Sequence, residues 1–472
     1  MQEYFTSWKM HSRHNLTNAF IDICGRDNVS IETDDIINYG KDCTLNLQYP
    51  FDVLVKPGTV EEISAIVKLC NEYKISLTPR GGGSGVTGGA LPINRGVVLS
   101  LERLNAVIEV NEHEKYVIAE SGVVTANLCE AVQCKGLYFP VIPSSSSVSF
   151  IGGNVALNSG SIHSYKYGSV ADYVLNLEIV LPSGEVFWTN TNVRKNSTGI
   201  DVTQLFVGSE GVLGIITKVV FRLIRKPRFE CSLLAGFENL SSACIAVDRI
   251  RQLSYEPAAV EIICQSAIKM TSAYLAKPLP LVKENVTTHI LISFHEPSRE
   301  NIEKALEAVV ETLKDLTHEE ILVGTSTAEI KGLWELRFAI GLALTDLNRY
   351  YRDIDISLPS ARLLEYLTYV EAVCRTNNIA FACFGHAMDG NPHVMIVPQD
   401  DEQFRSESFE KTVKNIYSYA MANGGAISGE HGIGILQKEY MRLQFSQSHL
   451  TLMKALKLFF DPSNIMNPSK IY

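Results

Sequence analysis

The sequence lacks the features that mark export, membrane insertion and nucleic-acid binding. No uncharged apolar stretch approaches the roughly 18 residues that a transmembrane helix requires, and the N-terminal MQEYFTSWKM has no apolar core of a signal peptide. Lys and Arg never form a run longer than a pair, and the net charge is −10, which disfavours a nucleic-acid partner. We therefore expect a cytoplasmic protein without a transmembrane segment.

The chain also lacks a cysteine framework. Its ten cysteines are scattered, and none has the CxxC spacing typical of zinc or iron–sulfur ligands. Without a signal peptide we expect reduced thiols. With 46 % apolar and 20 % charged residues, the 472-residue chain has the composition of a globular protein with room for two large domains or about three smaller ones.

What the chain does have is a glycine-rich tract, RGGGSGVTGG, at residues 80–89. It contains a formal GxGxxG from Gly83 to Gly88, which would predict a dinucleotide-binding Rossmann turn if a helix followed. Only seven residues separate Gly89 from the next predicted strand at Val97, and they include Pro92. A crossover helix does not fit, so we interpret the tract as a nest of N–H groups for phosphate, in preference to a purely structural turn.

Two further tracts of small residues follow, PSSSSVSFIGGNVALNSG at 143–160 and LFVGSEGVLGIIT at 205–217. The first could be a flexible linker, but Ile151, Val155 and Leu157 within it favour a packed segment. The second predicts a turn followed by a strand, with small residues that allow a flat ligand to approach. Three such tracts indicate a large, diphosphate-bearing ligand that lies across one domain.

A predicted β-hairpin carries two histidines in GHAMDGNPH, residues 385–393. Apolar segments on both sides predict strands, and Asp389-Gly390 predicts a two-residue loop. That loop would place His386 directly opposite His393, with Cβ atoms roughly 5 Å apart, a spacing that suits one shared ion. The pair alone fits simple packing equally well, because catalytic zinc sites use three protein ligands.

The segment SGEHGIG offers the third ligand. Glu430 and His431 are neighbours between Gly429 and Gly432, so neither is fixed on a helical face. Because adjacent side chains diverge, one could bind a metal while the other faces a substrate. The alternative is a solvated Glu-His turn, which the nearby hairpin histidines make less favourable.

Taken in order, the three tracts resemble the FAD-binding (PCMH-type) domain of vanillyl-alcohol-oxidase-type flavoproteins. The segments GHAMDGNPH and SGEHGIG resemble the branch that holds glycolate oxidase FAD subunits, D-lactate dehydrogenases and D-2-hydroxyglutarate dehydrogenases. The resemblance covers roughly residues 48 to 472. It implies an α+β fold with a two-subdomain FAD-binding domain and a ferredoxin-like α+β cap with C-terminal helices.

With a boundary placed at the Pro-flanked RLIRKPRFE, we expect three regions. Residues 1–227 form the FAD-binding domain, with its PCMH-type core at about 48–227. Residues 228–420 form the substrate or cap domain with the metal hairpin. Residues 421–472 form a C-terminal segment that returns to the FAD domain.

The resemblance implies FAD as cofactor and assigns its binding residues to the three tracts and the C-terminal tail. The residues implied are Arg80, Gly81, Gly82, Gly83, Ser84, Gly85, Ser144, Ser145, Gly152, Gly153, Asn158, Gly160, Glu210, Ile216 and Asn467. Relatives that attach the flavin covalently often carry histidine at the position of Ser84. We therefore expect FAD to be bound non-covalently.

The resemblance also implies the catalytic roles. His386, His393 and Glu430 would hold a divalent metal, with zinc or manganese expected, and His431 would be the general base. The ion would chelate a 2-hydroxy acid through its hydroxyl and carboxylate, and the hydride on C2 would pass to the flavin. Arg337, on a predicted helix, matches an arginine that binds the substrate carboxylate; the alternative is a surface arginine.

Two positions at which the sequence departs from the resemblance narrow the range of expected substrates. Asp353 and Met395 stand where hydroxyglutarate dehydrogenases have Lys and Asn. A second substrate carboxylate would find no partner, so we expect oxidation of D-lactate or glycolate. The alternatives are a D-2-hydroxyglutarate dehydrogenase and a non-catalytic FAD-binding subunit of a glycolate oxidase complex.

The electron acceptor must be an external partner, because no second cofactor motif is present. An iron–sulfur subunit, an electron-transfer flavoprotein and a quinone all fit. Attachment to a membrane through such a partner, and a homodimer, are both compatible with the sequence.

Overall fold

The computed structural model describes residues 10–276, 283–348 and 350–472, with side chains from Leu16 onward. The described part of the first half of the chain contains seven α-helices. They are α1 (Met10–Cys24), α2 (Thr33–Tyr39), α3 (Val60–Tyr73), α4 (Thr125–Gln133), α5 (Ile151–Leu157), α6 (Ser164–Tyr167) and α7 (Thr203–Phe206).

Eleven strands, most of them short, lie in the same described part. They are β1 (Val29–Ser30), β2 (Val53–Val55), β3 (Leu77–Arg80), β4 (Val97–Ser100), β5 (Val107–Asn111), β6 (Tyr116–Glu120), β7 (Leu137–Tyr138), β8 (Val174–Val180), β9 (Val186–Trp188), β10 (Ile215–Arg222) and β11 (Ile224–Arg225). Among the described residues they form a four-stranded sheet in the order β1-β2-β4-β3, a five-stranded sheet β5-β6-β10-β8-β9 and the pair β11-β7.

The second half is built on one antiparallel sheet of seven strands in the order β15-β12-β14-β13-β17-β18-β16. The strands are β12 (Phe229–Phe237), β13 (Ala259–Cys264), β14 (Thr288–Glu296), β15 (Leu322–Gly324), β16 (Arg352–Asp355), β17 (Ala380–His386) and β18 (Asn391–Val397). The helices are α8 (Leu240–Arg251), α9 (Gln265–Leu275), α10 (Arg299–Leu313), α11 (Thr327–Leu347), α12 (Leu363–Thr376), α13 (Asp401–Phe404), α14 (Glu407–Ala422), α15 (Met441–Gln444) and α16 (Gln447–Phe460).

Local sequence signals explain the first part of the parallel sheet, β2-α3-β3, whose two strands both pair with β4. The hydroxyl of Thr59 accepts the N–H of Glu62 and so caps α3, whose buried face carries Ile63, Ile66 and Val67. After the helix, β3 runs parallel to β4 without a helix between them. The glycine tract therefore lies in the loop between two parallel strands, which agrees with the rejection of a Rossmann turn.

The C-terminal tail lies against this small sheet. The N–H of Leu77 donates to the carbonyl of Ile465, and the N–H of Asn467 donates back to Leu77, both at 2.7 Å. Ile465 and Met466 belong to the same hydrophobic core as α1 and α3. The last residues thus extend the edge of β3, next to the glycine tract.

The predicted register of the histidine hairpin is wrong. β17 and β18 pair His386 with Asn391 and Phe384 with His393, so the loop holds four residues, 387–390. Ala387 gives its N–H to Val260 of β13, and the carbonyl of Gly390 accepts the N–H of Leu358, which together hold the wider loop. A shift by two residues keeps both histidines on one face, because side chains alternate with period two.

The α+β organisation confirms the fold class expected from the sequence. Among the helices of the described ranges, none combines the length and apolarity that crossing a bilayer requires.

Candidate functional site

A deep cavity runs along the three small-residue tracts. It encloses about 1300 Å³, including the part open to solvent. Thirteen of the predicted FAD-binding residues line it: Arg80, Gly81, Gly82, Gly83, Ser84, Gly85, Ser144, Ser145, Gly152, Gly153, Gly160, Glu210 and Ile216. The tracts, which are far apart in the chain, therefore form one binding surface.

The glycines in this wall leave room for a ligand to touch the backbone. A Cβ atom added at Gly85 or Gly153 would meet no protein atom within 4 Å. Gly83 has a φ of +70°, a conformation that favours glycine. Exposed N–H groups in a loop with such residues suit a diphosphate, so the cavity fits FAD.

Two predicted FAD residues lie outside the cavity lining. Asn158 ends α5 in the left-handed conformation, and its side chain accepts the N–H of Ala171 at 2.8 Å. The Nδ2 of Asn467 donates to the carbonyls of Glu210 and Gly89 at 2.8 and 3.1 Å. In this structure both residues fix the loops around the cavity.

Glu210 connects the cavity to the segment that carries Glu430 and His431. Its carboxylate accepts the N–H groups of Ile433 and Gly434 at 2.7 and 2.8 Å. Burial raises the pKa of Glu210, although these two hydrogen bonds oppose the rise. The wall of the cavity and the segment that carries Glu430 and His431 are thereby held together.

Four adjacent strands of the large sheet each contribute one polar side chain to the site. Glu261 on β13 is directly opposite His386 on β17, and Asp355 on β16 is directly opposite His393 on β18. The strands lie in the order β13-β17-β18-β16, so the two histidines are in the middle and a carboxylate flanks each side. All four residues are buried.

Glu430 completes the predicted metal triad. Its Oε1 lies 3.6 Å from Nε2 of His386 and 3.4 Å from Nε2 of His393. The Nε2 of His386 is buried and makes no hydrogen bond to the described residues. Two imidazoles and one carboxylate are a common donor set for a divalent transition metal, so the three residues fit such an ion.

Asp355 holds the loop that presents Glu430 and His431. One carboxylate oxygen accepts the N–H groups of Gly429, Glu430 and His431 at 3.1, 2.9 and 2.7 Å and the hydroxyl of Ser428 at 2.9 Å. Asp355 is also close enough to His393 and His431 to form a second possible ligand group. Because its oxygens already accept these donors, we favour the triad with Glu430.

His431 lies beside two carboxylates from β16. Its Nδ1 is 3.2 Å from Asp353 and 3.8 Å from Asp355. Burial opposes a charge on the ring, but these carboxylates outweigh it and raise the pKa of His431 to about 10. The ring stacks on His393 with centroids 5.2 Å apart, and Nε2 lies 3.9 Å from Oε1 of Glu430.

Arg337 is near the triad but is bound to another residue. Its Nε hydrogen-bonds to Glu261, and its guanidinium packs over the ring of Phe384. It is buried and does not line the described cavity. Burial would raise the pKa of Glu261, but Arg337 and His386 together lower it to about 2.

Glu430 and His431 line the same cavity as the glycine tracts. A dinucleotide-sized cavity whose wall includes His431 and one member of the candidate metal triad, Glu430, is typical of a flavin-dependent oxidoreductase. Residues 51–190 match the family described as "FAD binding domain", and residues 226–471 match "FAD linked oxidases, C-terminal domain". The chain belongs to this family of FAD-linked oxidases, with FAD as its cofactor.

Curated relatives agree with this assignment over nearly the whole chain. The glycolate oxidase subunit GlcD of Bacillus subtilis is 32 % identical over 452 residues, covering 96 % of this chain and 95 % of the relative. A D-lactate dehydrogenase of Anaerostipes hadrus is 33 % identical, covering 89 % of both chains. A D-2-hydroxyglutarate dehydrogenase of Stutzerimonas stutzeri is 30 % identical, covering 94 % of this chain and 96 % of the relative.

Solved structures confirm the expected PCMH-type fold. The structure of p-cresol methylhydroxylase with substrate bound superposes with a TM-score of 0.79 at 19 % identity, covering 98 % of this chain and 97 % of that one. The 4-ethylphenol oxidase of Gulosibacter chungangensis has a TM-score of 0.77 at 17 % identity, covering 99 % and 98 %. At this identity the likeness shows the fold alone.

Proposed function

We propose that this protein oxidises a small D-2-hydroxy acid, D-lactate or glycolate, to the 2-oxo acid with the help of a divalent metal. The observation that carries the proposal is that Glu430 and His431 line the cavity formed by the FAD-binding tracts. Substrate bound at the triad would then have its C2 atom facing the flavin cavity. FAD supplies the hydride acceptor, and electrons leave to an external acceptor.

His431 acts as the general base through Nε2. Its Nδ1 faces Asp353 at 3.2 Å, which fixes the tautomer and aims the other nitrogen away from β16. A divalent ion held by His386, His393 and Glu430 would supply Lewis acidity, lowering the pKa of the substrate hydroxyl. The positive charge of the ion would also lower the pKa of His431, bringing it closer to the range in which a base works at neutral pH.

Arg337 is the candidate cation for the substrate carboxylate. Glu261 engages its Nε, and a guanidinium has five N–H donors in all. The flanking position beside His386 places its charge on the side of the triad away from His431. This assignment predicts a higher KM, with a smaller change in kcat, when Arg337 is replaced by Lys.

The neighbourhood of His431 favours a substrate with one carboxylate. Asp353 pairs directly with Met395 across β16 and β18, two residues along from Asp355 and His393 on the same face. A second substrate carboxylate on this side would meet the negative charge of Asp353 and the apolar Met395. This arrangement supports lactate or glycolate over the hydroxyglutarate alternative.

A substrate panel tests the proposal. Turnover with an artificial electron acceptor should be highest with D-lactate or glycolate, and low with L-lactate and D-2-hydroxyglutarate. Asp353→Lys should raise kcat/KM for D-2-hydroxyglutarate relative to kcat/KM for D-lactate by at least about tenfold. The reason is that Asp353 repels a second substrate carboxylate, and like charges placed together cost several kcal/mol. The ratio cancels any general loss from a disturbed His431.

Either of two results would contradict this substrate assignment. The first is a preference of the unaltered protein for D-2-hydroxyglutarate. The second is an unchanged ratio in Asp353→Lys. If the FAD-loaded protein oxidises none of these acids, a non-catalytic FAD-binding subunit would be favoured instead. Such a subunit would not need the metal triad or His431.

The FAD should be released intact on denaturation. Ser84 lines the cavity, and its hydroxyl is not the nucleophile through which flavins are attached in the covalent relatives. Acid precipitation of the yellow protein should leave free FAD in the supernatant, measured by absorbance and chromatography. Flavin that remains in the pellet would show a covalent link.

A further inference from the structure

A buried chain of polar side chains lies behind the triad, on the side away from Glu430. Glu261 is fully buried, and each of its carboxylate oxygens has one partner. Oε1 lies 2.5 Å from Nδ1 of His386, and Oε2 accepts the Nε–H of Arg337. The order Arg337–Glu261–His386 follows from the direct pairing of Glu261 with His386 across β13 and β17.

This contact decides which nitrogen of His386 can act as a ligand. When Nδ1 donates its hydrogen to the Glu261 carboxylate, the neutral ring has its lone pair on Nε2, which is the atom that faces Glu430 at 3.6 Å. The same Nε2 is buried and has no hydrogen bond to the described residues. A carboxylate behind a metal-binding histidine both orients the ring and makes the free nitrogen more basic.

The described residues offer the ring of His393 no equivalent partner. Its Nδ1 is 3.6 Å from Asp355, too far for a hydrogen bond. That oxygen of Asp355 already accepts the amide of Asn391 at 2.8 Å, and the other oxygen accepts the N–H groups of residues 429–431. Among the described contacts, His386 is therefore the one of the two histidines whose Nδ1 is hydrogen-bonded to a charged side chain.

Arg337 supports the charge of Glu261. A carboxylate with no exposed surface is costly unless an opposite charge and hydrogen bonds compensate it. Arg337 provides both, and its own guanidinium is fixed over Phe384. Replacing either member alone would leave a buried charge without its partner.

We propose that Glu261 is a positioning residue for the metal, acting through His386, and that Arg337 acts on the metal through Glu261. This inference rests on the proposed function, in which His386, His393 and Glu430 bind a divalent ion. Arg337 would then have two roles: it would bind the substrate carboxylate and, through Glu261, support the metal ligand His386.

Zinc affinity separates this role from a structural one. Metal-stripped, FAD-loaded protein is titrated with Zn²⁺ against a chromophoric chelator at fixed pH. Glu261→Gln should bind Zn²⁺ about 10–100-fold more weakly than the unaltered protein, as is typical for loss of an outer partner. FAD content should not change, because Glu261 does not line the flavin cavity.

The double variant Glu261→Gln/Arg337→Gln controls for stability. Glu261→Gln alone should lower the Tm, because it leaves the buried guanidinium unpaired. Two facing amides remove both charges, so the double variant should recover most of the Tm while its zinc affinity stays low.

Glu178→Gln is the matched control. Glu178 is a buried carboxylate that pairs with Lys218 at 2.9 Å in another sheet. The zinc affinity of the Glu178→Gln variant should equal that of the unaltered protein.

Two results would overturn the inference. One is Glu261→Gln with the zinc affinity of the unaltered protein. The other is recovery of zinc affinity together with Tm in the double variant, which would reduce Glu261 to a structural residue. An unaltered protein that binds no Zn²⁺ or Mn²⁺ overturns the metal part of the proposed function itself, and so is distinguishable from both.

Discussion

Replacing His431 by Ala should lower the rate of flavin reduction by D-lactate or glycolate about 10²–10⁴-fold, the usual cost of losing a general base. Metal and FAD should both remain, because the proposed ligands are other residues and the flavin tracts are elsewhere in the cavity wall. The measurement is stopped-flow flavin bleaching under anaerobic conditions, with metal content determined on the same sample. His113→Ala is the matched control, since that side chain is 94 % exposed.

The neighbouring glutamate makes this experiment decisive. If His431→Ala loses the metal while Glu430→Ala keeps it, the roles of these two residues are exchanged. If flavin reduction in His431→Ala stays within a few-fold of the unaltered rate, His431 is not the base.

Replacing His386 by Ala should remove metal and activity together. A triad reduced to two ligands holds a divalent ion poorly, and we expect a loss of affinity greater than the roughly 10–100-fold that an outer partner contributes. His393→Ala should behave in the same way, because both Nε2 atoms lie within 3.6 Å of the same oxygen of Glu430. FAD content should be unchanged in both variants.

Metal analysis and flavin absorbance on each purified variant check this expectation. The pattern of losses separates ligand from base: His386→Ala loses metal and turnover, whereas His431→Ala loses turnover alone. A His386→Ala protein that keeps both its metal and its activity would remove His386 from the site.

The parts of the site that could be predicted from the sequence are those in which neighbouring residues along the chain form a recognisable motif. The glycine tract, the serine-rich tract and the GSEG turn each carry a local pattern, and the structure brings all three into one cavity. The rejection of a Rossmann turn also depended only on local spacing, since seven residues cannot hold a crossover helix. Patterns of this kind need no knowledge of which strands are neighbours.

The hairpin register was wrong because a tertiary contact overrode a local preference. Asp389-Gly390 favours a two-residue loop, but Ala387 hydrogen-bonds to β13 and Gly390 to the segment after β16. His386 and His393 are still close together, as predicted, because the predicted register differs from the observed one by two residues, an even number. A shift by one would have put one histidine on the opposite face.

Glu261 and Asp355 could not be found from the sequence. Each is more than thirty residues from the histidine it faces, and the pairing depends on the strand order β13-β17-β18-β16. An isolated acidic residue in a strand also has no signature that separates it from a surface position. The sequence named Arg337 but not its described ion-pair partner Glu261, and the contact of Arg337 with substrate stays a prediction.

Anaerobic reduction of the flavin by D-lactate and glycolate, before and after chelation, tests the central claim most directly. We expect each acid to bleach the flavin of the metal-loaded protein, chelation to abolish bleaching while FAD stays bound, and added Zn²⁺ or Mn²⁺ to restore it. Bleaching at an undiminished rate in protein shown to be free of transition metal would contradict the metal-assisted mechanism.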